Sequence, residues 1–144
     1  MFTVPILIGS LFAMLAAAIH VVIFVLESFR WNLPQTWRIF GIRSQEDANR
    51  TEFLAYNQGF YNLFLAVITV VGVGFLKTEH LTGTALALAG TGSMLGAAIV
   101  LGTHDRRMMR AALIQGTLPL LAVVFLLLEY STGAGVGQPV RLWR

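Results

Sequence analysis

Residues 2–29 read FTVPILIGSLFAMLAAAIHVVIFVLESF, an apolar run interrupted by a histidine at position 20 and a glutamate at position 27. A helix needs roughly 20 mostly apolar residues to cross a bilayer. This run exceeds that length and holds no turn residues that would divide it into strands. It has no basic leading segment, stays apolar past Ala16-Ala17-Ala18 and ends at Glu27 and Arg30. It therefore reads as a retained transmembrane helix rather than a cleaved leader. Three further runs qualify, at about Phe53–Leu76, Leu81–Leu101 and Met109–Tyr130. The expected fold class is all-α: a polytopic membrane protein, an antiparallel bundle of four transmembrane helices over residues 1–130. A flexible Gly-rich C-terminal tail, with Trp143 near its end, is expected over 131–144.

Composition agrees. Of 144 residues, 56% are hydrophobic and 12% charged, against about 25% charged in soluble domains. A soluble chain of this size has too little interior to hide that much apolar surface. The chain has no cysteine, which excludes disulfides, thiolate zinc and a cysteine nucleophile. No phosphate-binding loop, nucleophile elbow or dinucleotide fingerprint is present. The net charge of +3 is spread thinly over loops, so the basic residues read as topology signals, not as a nucleic-acid surface.

Those signals give an orientation. Loop one carries Arg30, Arg38, Arg43 and Arg50, and loop three carries Arg106, Arg107 and Arg110, seven in all; Lys77, Arg141 and Arg144, three in all, lie on the other side. The positive-inside rule places loops one and three in the cytoplasm and both termini outside, in the cell (inner) membrane. Within loop one, Leu33, Trp37 and Phe40 recur at helical spacing, with Pro34 suited to a first turn. This predicts a short interfacial helix anchored by Trp31 and Trp37. Ser44 and Asp47 suggest a capping box that starts the second long helix near Gln45.

For packing, the third span offers small residues at four-residue spacing, Ala85, Ala89, Ser93 and Ala97, beside a GxxxG pair at Gly92 and Gly96. Close backbone approach at Gly92 and Gly96 is the expectation, within one chain or between two. Pro119 in the fourth span predicts a kink and a freed carbonyl at Gln115.

Polar groups in hydrocarbon need partners or a purpose. Glu27 lies near the cytoplasmic end of the first span, with His20 two turns deeper on the same face. The second span enters with Asn57, Gln58, Tyr61 and Asn62, and the fourth with Gln115. Turned inward, these seven residues would line a polar pocket open toward the cytoplasm; the bland alternative is hydrogen-bonded glue between helices. A loop-one arginine, Arg30 or Arg38, is a competing partner for Glu27. The opposite third of the bundle shows almost nothing polar beyond Ser10 and terminal groups. His20, Glu27 and His104 sit on different helices without HxxxH or ExxH spacing. No metal site is therefore assigned, and no cofactor is read from the sequence.

Three blocks carry a resemblance: His20–Trp31 (HVVIFVLESFRW), Asn57–Ala66 (NQGFYNLFLA) and Gln115–Pro119 (QGTLP), with Ile39-Phe40-Gly41 between the first two. In these the sequence resembles the small integral membrane proteins of the domain of unknown function 1304 family, over about residues 5–128. The resemblance implies a four-helix membrane protein, mostly bacterial, with no established activity.

Two main functions compete. One is a binding module or enzyme for a small amphipathic molecule such as a lipid or quinone, held by His20, Glu27, Asn57, Gln58, Tyr61, Asn62 and Gln115. The other is an accessory or structural subunit, a homodimer or part of a larger membrane complex, that docks through its outer face. A dimeric proton-coupled transporter is disfavoured, because Glu27 lies near a helix end and not at mid-membrane. Inward polar faces favour the first reading; an outward small-residue stripe favours the second. Beyond the bilayer and these candidates, no partner is read, and no nucleic acid.

Overall fold

The computed structural model describes residues 3–131. The expected tail, Trp143 and the first residue of the predicted first span lie outside them. Five helices follow in order: α1 (Val4–Phe29), α2 (Pro34–Ile39), α3 (Gln45–Phe75), α4 (His80–His104) and α5 (Met109–Ser131), with a 3-10 turn at Arg106–Met108 before α5. Four of them are long and apolar enough to cross a membrane. They form an antiparallel four-helix bundle in which α1 neighbours α3 and α5, and α4 neighbours the same two. Both ends of the described chain lie at one end of the bundle, and the arginine-rich loops at the other.

The helices start where local chemistry dictates. Pro5 sits in the first turn of α1 and Pro34 in that of α2, positions where proline's missing N–H costs nothing. Ser44 caps α3, its Oγ accepting from the Asp47 N–H at 3.1 Å and donating to the Asp47 carboxylate at 2.7 Å. So α3 begins two turns before its apolar run. Pro119 lies buried inside α5, which runs on through it.

The interior is built from small side chains, as expected where helices associate by close approach and not by escape from water. Ala16, Ala17, Ala66 and Met94 fill the middle, and Ile6, Leu76, Ala87 and Leu126 the end near the termini. Large apolar residues such as Leu7, Leu11, Phe53, Phe64, Ile99 and Leu113 face outward. Buried Thr69 and Thr91 satisfy their hydroxyls on the carbonyls of Leu65 and Ala87, one turn back.

Two expectations are corrected here. Within the chain, Gly92 and Gly96 form no helix crossing: nothing lies within 4 Å of a Cβ built at either. Ala85, Ala89, Ser93 and Ala97 are exposed as well. The face of α4 that packs is Gly83, Ala87, Gly90, Met94 and Ala98. A Cβ at Gly83 would lie 2.6 Å from Leu76 N, and one at Gly90 would strike the Thr69 hydroxyl. Two residues along a helix is about 200° around it, so the expected stripe is the back of the real one.

The second correction concerns loop one. Its short helix is present, but Trp31 and Trp37 are not outward anchors: both are buried, packed with Ala48 and Ala55 and flanked by Phe40 and Ile42. Trp31 Nε1 donates to the Ala48 carbonyl at 2.9 Å, which fastens loop one to the first turns of α3. Trp37 Nε1 is buried without a hydrogen-bond partner among the described residues.

Candidate functional site

Glu27 stands in the last turn of α1, and α3 reaches it because residue 59 is glycine. A Cβ at Gly59 would collide with Ser28 Oγ and lie 3.1 Å from the Phe24 carbonyl and 3.2 Å from Glu27 Cβ. At this near-touching point Ser28 Oγ donates to the Tyr56 carbonyl at 3.1 Å. One turn further along α3, Asn62 Nδ2 donates to Glu27 Oε2 at 2.9 Å, and to its own helix at the Gln58 carbonyl at 3.2 Å.

Glu27 is only 8% exposed. A carboxylate offers about four acceptor sites, yet the amide of Asn62 is the one hydrogen bond to it among the described residues. No arginine pairs with it: the described ion pairs are Arg50–Glu46 and Arg107–Asp105. The alternative of a salt bridge to Arg30 or Arg38 is therefore not what the structure contains. A buried acid with one amide bond and no cation is an unfinished polar network, and such networks carry a cost until something completes them.

Aromatic rings flank this seam. Phe24, one turn from Glu27, meets Phe60 edge-on at 5.0 Å between centroids and Phe29 at 5.3 Å. Phe60 continues to Tyr56 at 5.1 Å and to Phe64 at 6.3 Å. Tyr56, Phe60 and Phe64 follow at four-residue spacing, so they form one ridge along α3. The sequence reading missed this ridge, although its spacing and the neighbouring Gly59 were visible.

His20 is fully buried. Its Nδ1 lies 2.9 Å from the Ala16 carbonyl. A carbonyl only accepts, so Nδ1 carries the hydrogen of that bond. Two turns separate it from Glu27, and no hydrogen bond joins them.

The other candidates do not converge. Asn57, Gln58 and Tyr61 are exposed on the outside of α3. Gln115 is half-buried on α5 and its side chain makes no hydrogen bond among the described residues. The seven-residue pocket thus resolves into a buried Glu27 bonded to a half-buried Asn62, a separate buried His20 and an outward polar strip beside Asn62. His104 is exposed at the end of α4. Among the described residues no three of His, Asp and Glu gather as metal ligands.

One buried acid escaped the sequence reading altogether. Glu129, near the end of α5, is buried, and Thr3 Oγ1 donates to its carboxylate. The end of the bundle opposite the arginines therefore has its own buried acid. Its partner lies at the far end of the chain, so no local pattern announced it.

The family model described as Protein of unknown function (DUF1304) matches residues 14–127, and the chain belongs to that family. The match spans His20, Glu27, Gly59, Asn62 and Gln115 but neither Thr3 nor Glu129. No curated protein and no solved structure matches the chain.

Proposed function

We propose that this protein binds a small amphipathic or lipid-like molecule at the seam of α1 and α3, in the half of the bundle nearest the arginine-rich loops. The single observation behind the reading is Glu27: buried, without a cation, and bonded by one amide. A ligand donor such as a hydroxyl or amine completes that acid. The ridge of Tyr56, Phe60 and Phe64 offers a surface for an apolar body, and the outward Asn57, Gln58 and Tyr61 offer polar contacts at the lipid boundary. This amounts to lateral recognition from the leaflet, with an apolar wall and few polar contacts.

The test is native mass spectrometry of the purified protein in mild detergent. The parent should carry a co-purified amphipathic molecule, and Glu27→Leu should be isolated folded and without it. Equal occupancy in both would sink the proposal. For orientation, we propose the arginine-rich end in the cytoplasm and both termini outside, in the cell (inner) membrane, from the seven-to-three count of basic residues. A reporter fused at Arg144 that is active only in the cytoplasm would reverse it.

A second reading, an accessory or structural subunit, is favoured by a different observation. The small-residue face of α4, Ala85, Ala89, Gly92, Ser93 and Gly96, is exposed. Gly92→Leu that leaves the fold intact but changes the size of the particle in detergent would support it.

A further inference from the structure

The arginine-rich end carries a cleft that takes no part in the Glu27–Asn62 seam. It measures about 320 Å³ and is bordered by Arg38, Gly41 and Arg43 from loop one and by Asp105, Arg107 and Met108 from the turn between α4 and α5. That volume sits at the lower end of the ~300–1,000 Å³ typical of small-molecule sites. Gly41 joins the two walls. Its φ of 79° lies in the left-handed region, which turns the chain out of α2 at little steric cost. Met108 packs against it, and a Cβ there would lie 3.0 Å from the Met108 sulfur.

Three arginines thus line one concavity, and one aspartate accompanies them. That carboxylate is already engaged: Asp105 Oδ1 accepts from the Arg107 backbone N–H at 2.9 Å and from Arg107 Nε at 3.3 Å. Arg38 and Arg43 make no ion pair among the described residues. Arg38 lies over the Trp37 ring at 5.2 Å, a contact that orients the guanidinium without neutralising it. The positive-inside rule accounts for arginines at this end. It does not account for their meeting from two loops around one cavity.

Depth narrows the ligand. With 26 and 25 residues, α1 and α4 are ~39 and ~38 Å long at 1.5 Å per residue. An upright bundle centred on a hydrocarbon core of ~30 Å projects roughly 4 Å into the headgroup layer at each end. The cleft begins where α4 ends, at Asp105. We infer that it binds a phosphate-type anion presented by the headgroup of an anionic membrane lipid, with Arg38, Arg43 and Arg107 as its cationic contacts. Guanidinium forks match phosphate oxygens, and basic pockets at such loops suit anionic headgroups.

The test uses the full chain in mild detergent, titrated with phosphatidylglycerol and, separately, phosphatidylcholine, with bound lipid counted by native mass spectrometry. The parent should prefer phosphatidylglycerol at least tenfold. Arg43→Gln should lower that preference about fivefold, from the usual worth of one basic residue near an anionic surface. Arg38→Gln/Arg43→Gln/Arg107→Gln should abolish it, and Arg50→Gln, outside the cleft, should leave it unchanged. Displacement of the lipid by 10 mM inorganic phosphate would support the anion site while assigning it to the free ion; persistence of the lipid assigns it to the headgroup. Should the triple variant not fold, the parent's preference should fall at least tenfold between 20 mM and 500 mM salt. Equal binding of the two lipids by the parent, a preference insensitive to salt, or equal losses for Arg43→Gln and Arg50→Gln would overturn the inference.

Discussion

Replacing Gly72 by alanine adds one methyl group where α3 meets the backbone of α4. The new Cβ would lie 2.9 Å from Ala87 Cα and from the Leu86 carbonyl carbon, and closer still to Ala87 N. Carbon atoms rest at about 3.5–4.0 Å, so the two helices must part by roughly 0.6–1.1 Å, a gap that forfeits a quarter to a half of each dispersion contact along the seam. Overpacking of this kind costs about 1–3 kcal/mol, and the helix-propensity gain of Gly→Ala returns at most ~1 kcal/mol. With that gain subtracted in full, the net expectation is a loss of about 0–2 kcal/mol. Gly92→Ala and Gly96→Ala meet nothing within 4 Å, so they should be neutral or stabilising by up to ~1 kcal/mol. The assay is unfolding in detergent followed by circular dichroism, all three variants beside the parent. A Gly72→Ala variant as stable as the parent, with Gly92→Ala clearly weaker, would refute the reasoning and put the crossing on the opposite face of α4.

Other outcomes follow from single bonds. Trp31→Phe keeps the ring but loses the donor to the Ala48 carbonyl, and should lower stability by about 1 kcal/mol in the same unfolding assay. Ser44→Ala removes the cap of α3, worth about 1 kcal/mol locally. It should speed hydrogen exchange at the amides of residues 46–48 while leaving the unfolding midpoint nearly unchanged.

Spans, helix starts and the inward setting of Glu27 were legible because each has a local cause: apolar length, the Ser44–Asp47 cap, the poor reach of a short acid toward water. Rotation about the helix axes was not. In α4 small residues occur all the way round, so nothing in the pattern separates Gly83-Ala87-Gly90 from Gly92-Gly96; the facing residues of α3 decide, and they are distant in sequence. In α3 Asn57, Gln58, Tyr61 and Asn62 spread over about 140° of the helix, and the choice of Asn62 as the inward amide follows from Gly59 meeting α1. Trp31 and Trp37 carry the usual signature of an interfacial belt. They turn inward because the first turns of α3 extend past its apolar run and offer Ala48 and Ala55 as a packing surface. Glu129 depended on Thr3, at the other end of the chain.

The measurement that bears most directly on the α1–α3 seam is photocrosslinking in cells with p-benzoylphenylalanine placed at Tyr61, beside Asn62, and separately at Val70, an equally outward position further along α3. Binding at the seam should yield one amphipathic adduct from position 61, absent from position 70 and lost when Glu27→Gln is added. The same mixture of bilayer lipids captured from both positions, with or without Glu27, would contradict it.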